Sequence, residues 1–247
     1  MELAPPNLPE NKFISLRSTP SDINEHADKI LEYTKKCRSV LELGRHTGTL
    51  TWIFLHGLLT GRAKRTILDP TLLPPSFPPF PPFHLIVITE ETQTADFDSI
   101  RTAAAKGGIQ MKSCIGSSVD FPLEQTIDML FINTWHCAYR LREELEAYSA
   151  RTIKFIIIRC TVIDWELSEA VRCHDNIYKK FRDNPGSTVL DICKGLKYAI
   201  EEFLGGIGKD WFIAQHFVHQ YGMMVLKRKE VKEIKEMSHH SNTLTRV

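Results

Sequence analysis

The chain has 247 residues, of which 43% are hydrophobic, and this is enough to build the core of one α/β domain. Its 31 basic and 30 acidic residues give a formal net charge of +1, so no overall field attracts nucleic acid or an anionic membrane. The six cysteines form no C-x-x-C pair, the N-terminus lacks a basic and apolar leader, and no apolar run reaches membrane-spanning length. We therefore expect a cytoplasmic protein that binds a small ligand and contacts neither nucleic acid nor membrane.

The N-terminal third contains a strand, a tight turn and a helix. Residues 1–18 are rich in proline and lack a hydrophobic period, which predicts an arm, and Ser21 is the predicted N-cap of a helix that reaches Lys36. An apolar strand over residues 38–43 then ends at Gly44, and a helix over residues 49–60 is predicted to end at Gly61. Open α/β sheets bind nucleotide-like ligands at such a strand–turn–helix unit.

The remaining pattern alternates strands and helices. Residues 68–83 hold seven of the 13 prolines and are predicted to be an inserted surface loop. Strands are predicted at residues 84–88, 109–115, 128–132 and 155–158, helices at 97–106, 139–148 and 190–204, a partly helical segment at 164–184, and two terminal strands at 211–218 and 223–227. The expected fold is one α/β domain over residues 19–228, with a mostly parallel sheet, flanking helices and a C-terminal antiparallel hairpin, followed by a flexible tail over 229–247.

Two motifs carry a resemblance to a known family. The run from Val40 to Gly44, with Gly48 after it, resembles the first motif of class I S-adenosylmethionine (SAM)-dependent methyltransferases. Residues 128–136, Asp-Met-Leu-Phe-Ile-Asn-Thr-Trp-His, resemble the DLLFIDTWH segment of a methyltransferase subgroup that is similar to the cephalosporin-hydroxylase and sugar O-methyltransferase families. The resemblance implies a Rossmann-like methyltransferase fold, SAM as the cofactor and O-methylation of a small molecule or sugar.

The resemblance also assigns residues to the cofactor. Glu42 and Gly44 would line the methionine part of SAM, and Gly48 would open the helix that follows. An acid after the second strand would accept hydrogen bonds from the ribose hydroxyls. Glu90 and Glu91 are the candidates, although Thr89 could occupy the aligned position.

Further cofactor contacts are predicted at the ends of the third and fourth strands. Ser117 stands where relatives have an acid near the adenine, and both it and Asn133 can hydrogen-bond to the cofactor. Arg45 and His46 lie in the cofactor turn, where they could contact the methionine carboxylate or simply be exposed.

The chain departs from the subgroup where a divalent cation would bind. Relatives have carboxylates at the ends of strands four and five, whereas this chain has Asn133 and the run Arg159-Cys160-Thr161. Magnesium prefers carboxylate oxygen, and an amide, a thiol and a guanidinium offer it little attraction. We therefore predict a metal-independent enzyme without a magnesium site.

Four residues are candidates for the chemistry. His136 follows the fourth strand and could act as the general base, or it could cap the helix or belong to the core. Trp135 could form a wall of the acceptor pocket or pack beneath the following helix. Arg159 could bind an anionic acceptor group or be a solvent-facing loop arginine. Cys160 is interpreted as a buried thiol, because no His/Asp spacing near it supports a nucleophile.

Two other functions stay open. The missing acids favour a catalytically degenerate methyltransferase-like protein that serves as a binding or scaffolding module. A nicotinamide-dependent dehydrogenase ranks last, because the turn from Gly44 to Gly48 lacks the G-x-G-x-x-G fingerprint. The Pro/Phe-rich loop could contact a protein partner or pack back onto its own domain.

Overall fold

The computed structural model describes residues 8–21, 23–44, 48–68, 83–90 and 95–230, with only the backbone at 64–68 and 95. Within these residues, seven strands form one sheet in the order β3-β2-β1-β4-β5-β7-β6. The strands are β1 (Ser39–Leu43), β2 (Phe83–Thr89), β3 (Ile109–Ile115), β4 (Ile127–Ile132), β5 (Thr152–Arg159), β6 (Trp211–Phe217) and β7 (Met223–Arg228). Strands β1 to β5 pair in parallel, whereas β7 runs antiparallel to both β5 and β6. The predicted Rossmann-like α/β class, with its terminal antiparallel hairpin, is confirmed.

Helices cover both faces of this sheet. They are α1 (Leu8–Ser18), α2 (Ala27–Thr34), α3 (Thr49–Leu68), α4 (Ala95–Lys106), α5 (Ala138–Tyr148), α6 (Glu169–Arg172), α7 (Ile177–Asp183), α8 (Val189–Cys193) and α9 (Leu196–Gly205). One apolar core lies between the sheet and α1 to α4, and a second lies between the sheet and α5 and α9. Every residue of β1 and β4 is buried, as expected for central parallel strands with both faces covered.

Strand alternation decides which core each residue of β1 faces. Val40 belongs to the core under α3, whereas Leu41 and Leu43 belong to the core under α5. Because successive side chains point to opposite faces of a strand, Glu42 lies on the α3 side.

The predicted N-terminal arm is helical where the structure describes it. Helix α1 occupies Leu8–Ser18, and Phe13 is buried against the domain, with its ring 5.3 Å from the ring of His56 in α3. The Lys12 ammonium lies 5.6 Å from the Trp52 ring centroid. The arm is therefore a helix, and its few apolar residues pack it against α3.

The prediction that a helix ends at Gly61 and the prediction that a helix continues through Gly195 are both wrong. Helix α3 continues past Gly61, where a Cβ would approach the Lys35 carbonyl oxygen to 2.5 Å, so this glycine permits close contact with the end of α2. Conversely, the helix predicted over 190–204 is divided at Gly195, where a Cβ would lie 2.4 Å from the carbonyl oxygens of Asp164 and Trp165. Gly195 N instead donates to the Glu166 carbonyl at 3.0 Å, which docks residues 164–166 against the start of α9.

Several sequence predictions lie outside the described residues. They concern Arg45, His46, Glu91, most of the proline-rich loop (69–82) and the tail from residue 231 onward. In the described part of the chain, no helix combines the length and apolar character that a membrane span needs.

Candidate functional site

A cavity of about 490 Å³ opens at the carboxyl ends of β1, β2, β3 and β4. Its sheet side is formed by Gly44, Thr89, Glu90, Gly116 and Asn133. Strand β1 lies between β2 and β4, so the strand order reverses here. Open α/β sheets bind their ligands at this switch point, and a cavity of roughly 300 to 1,000 Å³ is the usual size for a small-molecule site.

Gly44 lines the cavity and also joins two strand ends. Its φ of +78° lies in the left-handed region, and a Cβ on it would lie only 2.0 Å from the Asn133 carbonyl oxygen. Asn133 N donates to the Leu43 carbonyl at 2.9 Å, which holds the two chain segments together. Only glycine fits at this approach of backbone to backbone. Gly48 lies outside the cavity wall and precedes the first residue of α3, as predicted.

Glu42 lies beneath the cavity rather than in its wall. Its side chain is fully buried on the α3 side of the sheet, and Thr51 Oγ1 donates a hydrogen bond of 2.8 Å to its carboxylate. The residue therefore ties β1 to the first turn of α3. The resemblance implies that Glu42 contacts the cofactor, but Glu42 is not among the residues that line this cavity.

Glu90 is the predicted cofactor residue whose position fits best. It is exposed at the end of β2 and forms part of the cavity wall, next to the buried Thr89. Ser117 does not line the cavity, although its neighbours Gly116 and Ser118 do. The Ser117 hydroxyl accepts the Val119 N–H at 3.4 Å and so supports the turn after β3.

Glu144 lies beneath the cavity and is a residue for which the sequence predicted no functional role. This residue of α5 is fully buried, and its carboxyl group accepts hydrogen bonds from Ser118 Oγ and, at 2.9 Å, from Thr134 Oγ1. Burial raises the pKa of Glu144 to about 7, although the two hydroxyl donors act to lower it. The sequence does contain a signal, since Glu144 follows Leu141 by three positions and so lies on the apolar stripe of α5.

The side of the cavity away from the sheet is aromatic and charged. Trp135 lines it, and the Lys180 ammonium lies 5.0 Å from the Trp135 ring centroid. Arg140 Nη2 donates to Asn184 Oδ1 at 3.2 Å, which links α5 to the end of α7. The segment around α7 was predicted only as polar and partly helical, so its place in this wall could not be found from the sequence.

His136 does not line the cavity. Its Nδ1 lies 3.3 Å from Asp164 Oδ2 and 3.4 Å from Glu169 Oε2, and both ring nitrogens are buried. Burial lowers the pKa of His136, but contacts with Asp164, Cys160 and Glu169 outweigh it and raise the pKa well above the usual value. The same contact with His136 lowers the pKa of Glu169 to about 2. Because a raised pKa weakens an imidazole as a proton acceptor at neutral pH and His136 lies outside the cavity wall, this geometry does not favour His136 as a general base.

The position of Arg159 at the end of β5 agrees with neither of the two roles predicted for it. The side chain is 1% exposed and lies outside the cavity wall, and Arg159 pairs with Met223 of β7. It is therefore neither a solvent-facing loop residue nor a lining residue of this cavity. Its position follows from strand β5, which is longer than predicted and includes Arg159.

Cys160 has the partners that the sequence analysis did not find. The buried thiol lies within 4.8 Å of ligand atoms of His136 and Asp164, although these residues follow different strands. The prediction that Cys160 lacks a nearby His and Asp was wrong, because Asp164 lies four positions further along the chain and the fold brings His136 to both from the end of β4. Cys160 also has a φ of +59°, an uncommon conformation for a residue with a side chain.

No protein-family model matches the chain, and no curated protein matches it in sequence. Solved structures similar to it include SAH-bound methyltransferase PaMTH1 from Podospora anserina, with 14% identity over 90% of this chain and 88% of that chain and a TM-score of 0.46. A second is the O-methyltransferase from Bacillus cereus in complex with SAH, with 11% identity over 92% of this chain and 93% of that chain and a TM-score of 0.48. A third is the O-methyltransferase TomG from Streptomyces achromogenes in complex with SAM, with 13% identity over 93% of this chain and 92% of that chain and a TM-score of 0.46. At such identities and TM-scores, the function of this chain has to be argued from its own site.

Proposed function

We propose that this chain is a SAM-dependent O-methyltransferase that acts on a small molecule, with a sugar or glycan as the acceptor class. One observation carries the proposal. The cavity at the switch point between β1 and β4 is bordered on one side by Gly44 and on another by the Glu90 carboxylate. A carboxylate after the second strand can accept both ribose hydroxyls of a nucleoside-like cofactor, which is the recognition used by open α/β sheets.

The residues present fit SAM. A Cβ built on Gly116 meets nothing within 4 Å, so the cavity is open beside the end of β3, where the adenine is expected. The Asn133 amide and the neighbouring Thr134 provide polar groups between Gly44 and the acceptor side. SAM supplies a methyl group on a sulfonium, and the protein has to hold the acceptor oxygen in line and keep water away.

The acceptor side suits a polar ring. Trp135 offers a flat apolar face, whereas Lys180, Asp183 and Asn184 offer hydrogen-bonding groups in the same wall. A sugar presents apolar C–H faces and hydroxyl edges, so both kinds of contact are useful to it. These four residues support the acceptor class that the family resemblance implies.

We also propose that the transfer needs no magnesium. Asn133 takes the place of an acid at the end of β4, and Cys160 does so after β5. Among the carboxylates of the described cavity wall, Glu169 is already engaged by His136. Magnesium requires several oxygen ligands in an octahedral arrangement, and this wall offers few of them.

A second function is favoured by the position of His136. Because this imidazole does not face the cavity, the candidate base of the sequence analysis is not available there. A binding or scaffolding protein that holds SAM without transferring its methyl group would have the same cavity. The two functions agree on cofactor binding and differ only in turnover.

Calorimetric titration with SAM and SAH tests the shared step. We expect one site per chain, and a ligand at about 100 times its Kd should stabilise the fold by about 2.7 kcal/mol, which raises Tm by roughly 5 to 10 °C. Glu90→Ala removes a charged acceptor and should weaken binding roughly 10- to 100-fold. Glu146→Ala, at an exposed glutamate of α5 outside the cavity, should leave binding unchanged.

Turnover then separates the two functions. We expect the protein to transfer a labelled methyl group from SAM to a member of a panel of sugars and phenols, at a rate that added magnesium does not change. Binding without transfer to any acceptor would support the scaffolding function. If neither SAM nor SAH binds, both functions are refuted.

A further inference from the structure

Three side chains that can bind a metal ion meet behind the cavity wall. His136 follows β4, Cys160 follows β5, and Asp164 lies in the next turn, and their ligand atoms all lie within 4.8 Å of one another. Asp164 is fully buried and Cys160 is 5% exposed. Burial of an imidazole, a thiol and a carboxylate in one group costs free energy unless these groups are hydrogen-bonded, paired with opposite charges or bound to a metal ion.

The distances within this group fit a shared ion better than a direct hydrogen bond. His136 Nδ1 and Asp164 Oδ2 are 3.3 Å apart, and the buried Nδ1 and Nε2 have no hydrogen-bond partner among the described residues. A tetrahedral zinc ion with Zn–N and Zn–O bonds of about 2.0 to 2.1 Å holds its ligand atoms about 3.3 Å apart. The observed separation equals that tetrahedral edge.

Neighbouring side chains orient the ligands and balance the charge. Arg172 Nε donates to Asp164 Oδ1 at 2.7 Å and Arg172 Nη2 donates to Asp164 Oδ2 at 3.3 Å, which fixes the carboxylate with Oδ2 beside the imidazole. Glu169 Oε2 lies 3.4 Å from His136 Nδ1 and accepts the His136 backbone N–H at 3.3 Å, so its charge lies beside the three ligands. With a thiolate at Cys160, the three anionic groups offset one dication and the Arg172 guanidinium.

We propose that His136, Cys160 and Asp164 bind a zinc ion, with a water molecule as the fourth ligand and the Glu169 carboxylate beside the site. Thiolate and imidazole ligands select zinc over magnesium, so this site is different from a magnesium site at the ends of β4 and β5 and does not place a metal in the transfer step. Binding displaces the proton of the Cys160 thiol and the proton of the coordinating His136 nitrogen, and both pass to the buffer. Because Glu169 also lines the cavity, the ion would hold one part of the cavity wall in place.

The site can be tested independently of methyl transfer. We expect full-length protein purified from zinc-supplemented cells to contain one zinc per chain by mass spectrometry of the metal. Replacement of zinc by Co²⁺ should give the near-ultraviolet charge-transfer absorption of a cobalt–thiolate bond. Addition of Zn²⁺ to stripped protein should raise its Tm.

Variants identify the ligands. Cys160→Ser should abolish the cobalt–thiolate absorption, and Asp164→Asn should lower zinc content while retaining that absorption at high Co²⁺. Cys114→Ser, at a half-buried cysteine of β3, is the matched control and should retain both signals.

Two results would overturn the proposal. One is wild-type protein that contains no stoichiometric zinc and shows no cobalt–thiolate absorption. The other is an equal loss in Cys114→Ser and Cys160→Ser. If Cys160→Ser does not fold, the wild-type metal content and cobalt spectrum still decide the question.

Discussion

The buried Glu144 carboxyl group makes stability depend on pH in a way that one substitution can isolate. Glu144 lies beneath the cavity and accepts hydrogen bonds from Ser118 and Thr134. Replacement by glutamine keeps the shape and an oxygen acceptor but removes the charge at every pH. We predict that Glu144→Gln gains stability relative to the wild type as the pH rises.

The magnitude follows from the pKa of Glu144. Burial raises this pKa from 4.5 to about 7 in the folded protein, so the native state binds the proton more tightly than the unfolded chain. This contribution to stability is fully present below about pH 4.5 and is lost as the pH rises through about 7. At 1.36 kcal/mol per pH unit, the loss amounts to about 3 kcal/mol.

Urea unfolding between about pH 4.5 and pH 8 measures this effect. The free energy of unfolding of Glu144→Gln, minus that of the wild type, should rise by about 3 kcal/mol across the range. Glu146→Gln, at an exposed glutamate two positions along the same helix, is the control and should follow the wild type. A difference for Glu144→Gln that stays constant with pH would refute the reasoning.

Two further substitutions test how the strand ends are held. Gly44→Ala places a Cβ 2.0 Å from the Asn133 carbonyl oxygen at a φ of +78°. Calorimetry should therefore show that this substitution lowers Tm by at least roughly 4 °C. Gly205→Ala is the control, because a Cβ there meets nothing within 4 Å, and it should leave Tm unchanged or higher. Equal effects of the two would contradict the close approach. Thr51→Val removes the hydroxyl that donates to buried Glu42 and should cost about 1.5 to 3 kcal/mol in chemical unfolding. Thr60→Val, whose hydroxyl bonds within α3, should cost less than about 1 kcal/mol, and the reverse order would show that Glu42 does not depend on Thr51.

The central strands of the sheet could be predicted because each contains a mainly apolar run bounded by turn residues. The run around Leu41 and the run around Leu130 lie at the centre of the sheet, where burial on both faces demands such sequences. Helix boundaries were harder to predict from the sequence. Gly61 lies within a helix and Gly195 lies between two helices, and in both cases the position is set by a close contact with carbonyl groups far away in the chain. The sequence alone does not reveal which backbone segment will pack against a given glycine.

Part of the lining of the candidate site could be predicted because it lies next to the predicted strands. Gly44, Glu90, Asn133 and Trp135 line the cavity because they directly follow strands, and the carboxyl ends of parallel strands share one edge. Residues that meet through tertiary packing could not be found in this way. Cys160 and Asp164 lie four positions apart in the turn after β5, but their contact with His136, which follows β4, depends on how two loops fold against each other.

A crystal structure of the protein with SAH tests the central claim most directly. We predict that the ligand lies in the cavity at the carboxyl ends of β1 to β4, with its ribose hydroxyls on the Glu90 carboxylate and its amino-acid end beside Gly44. A ligand bound elsewhere, or an empty cavity at a SAH concentration far above the physiological range, would contradict the proposed cofactor site.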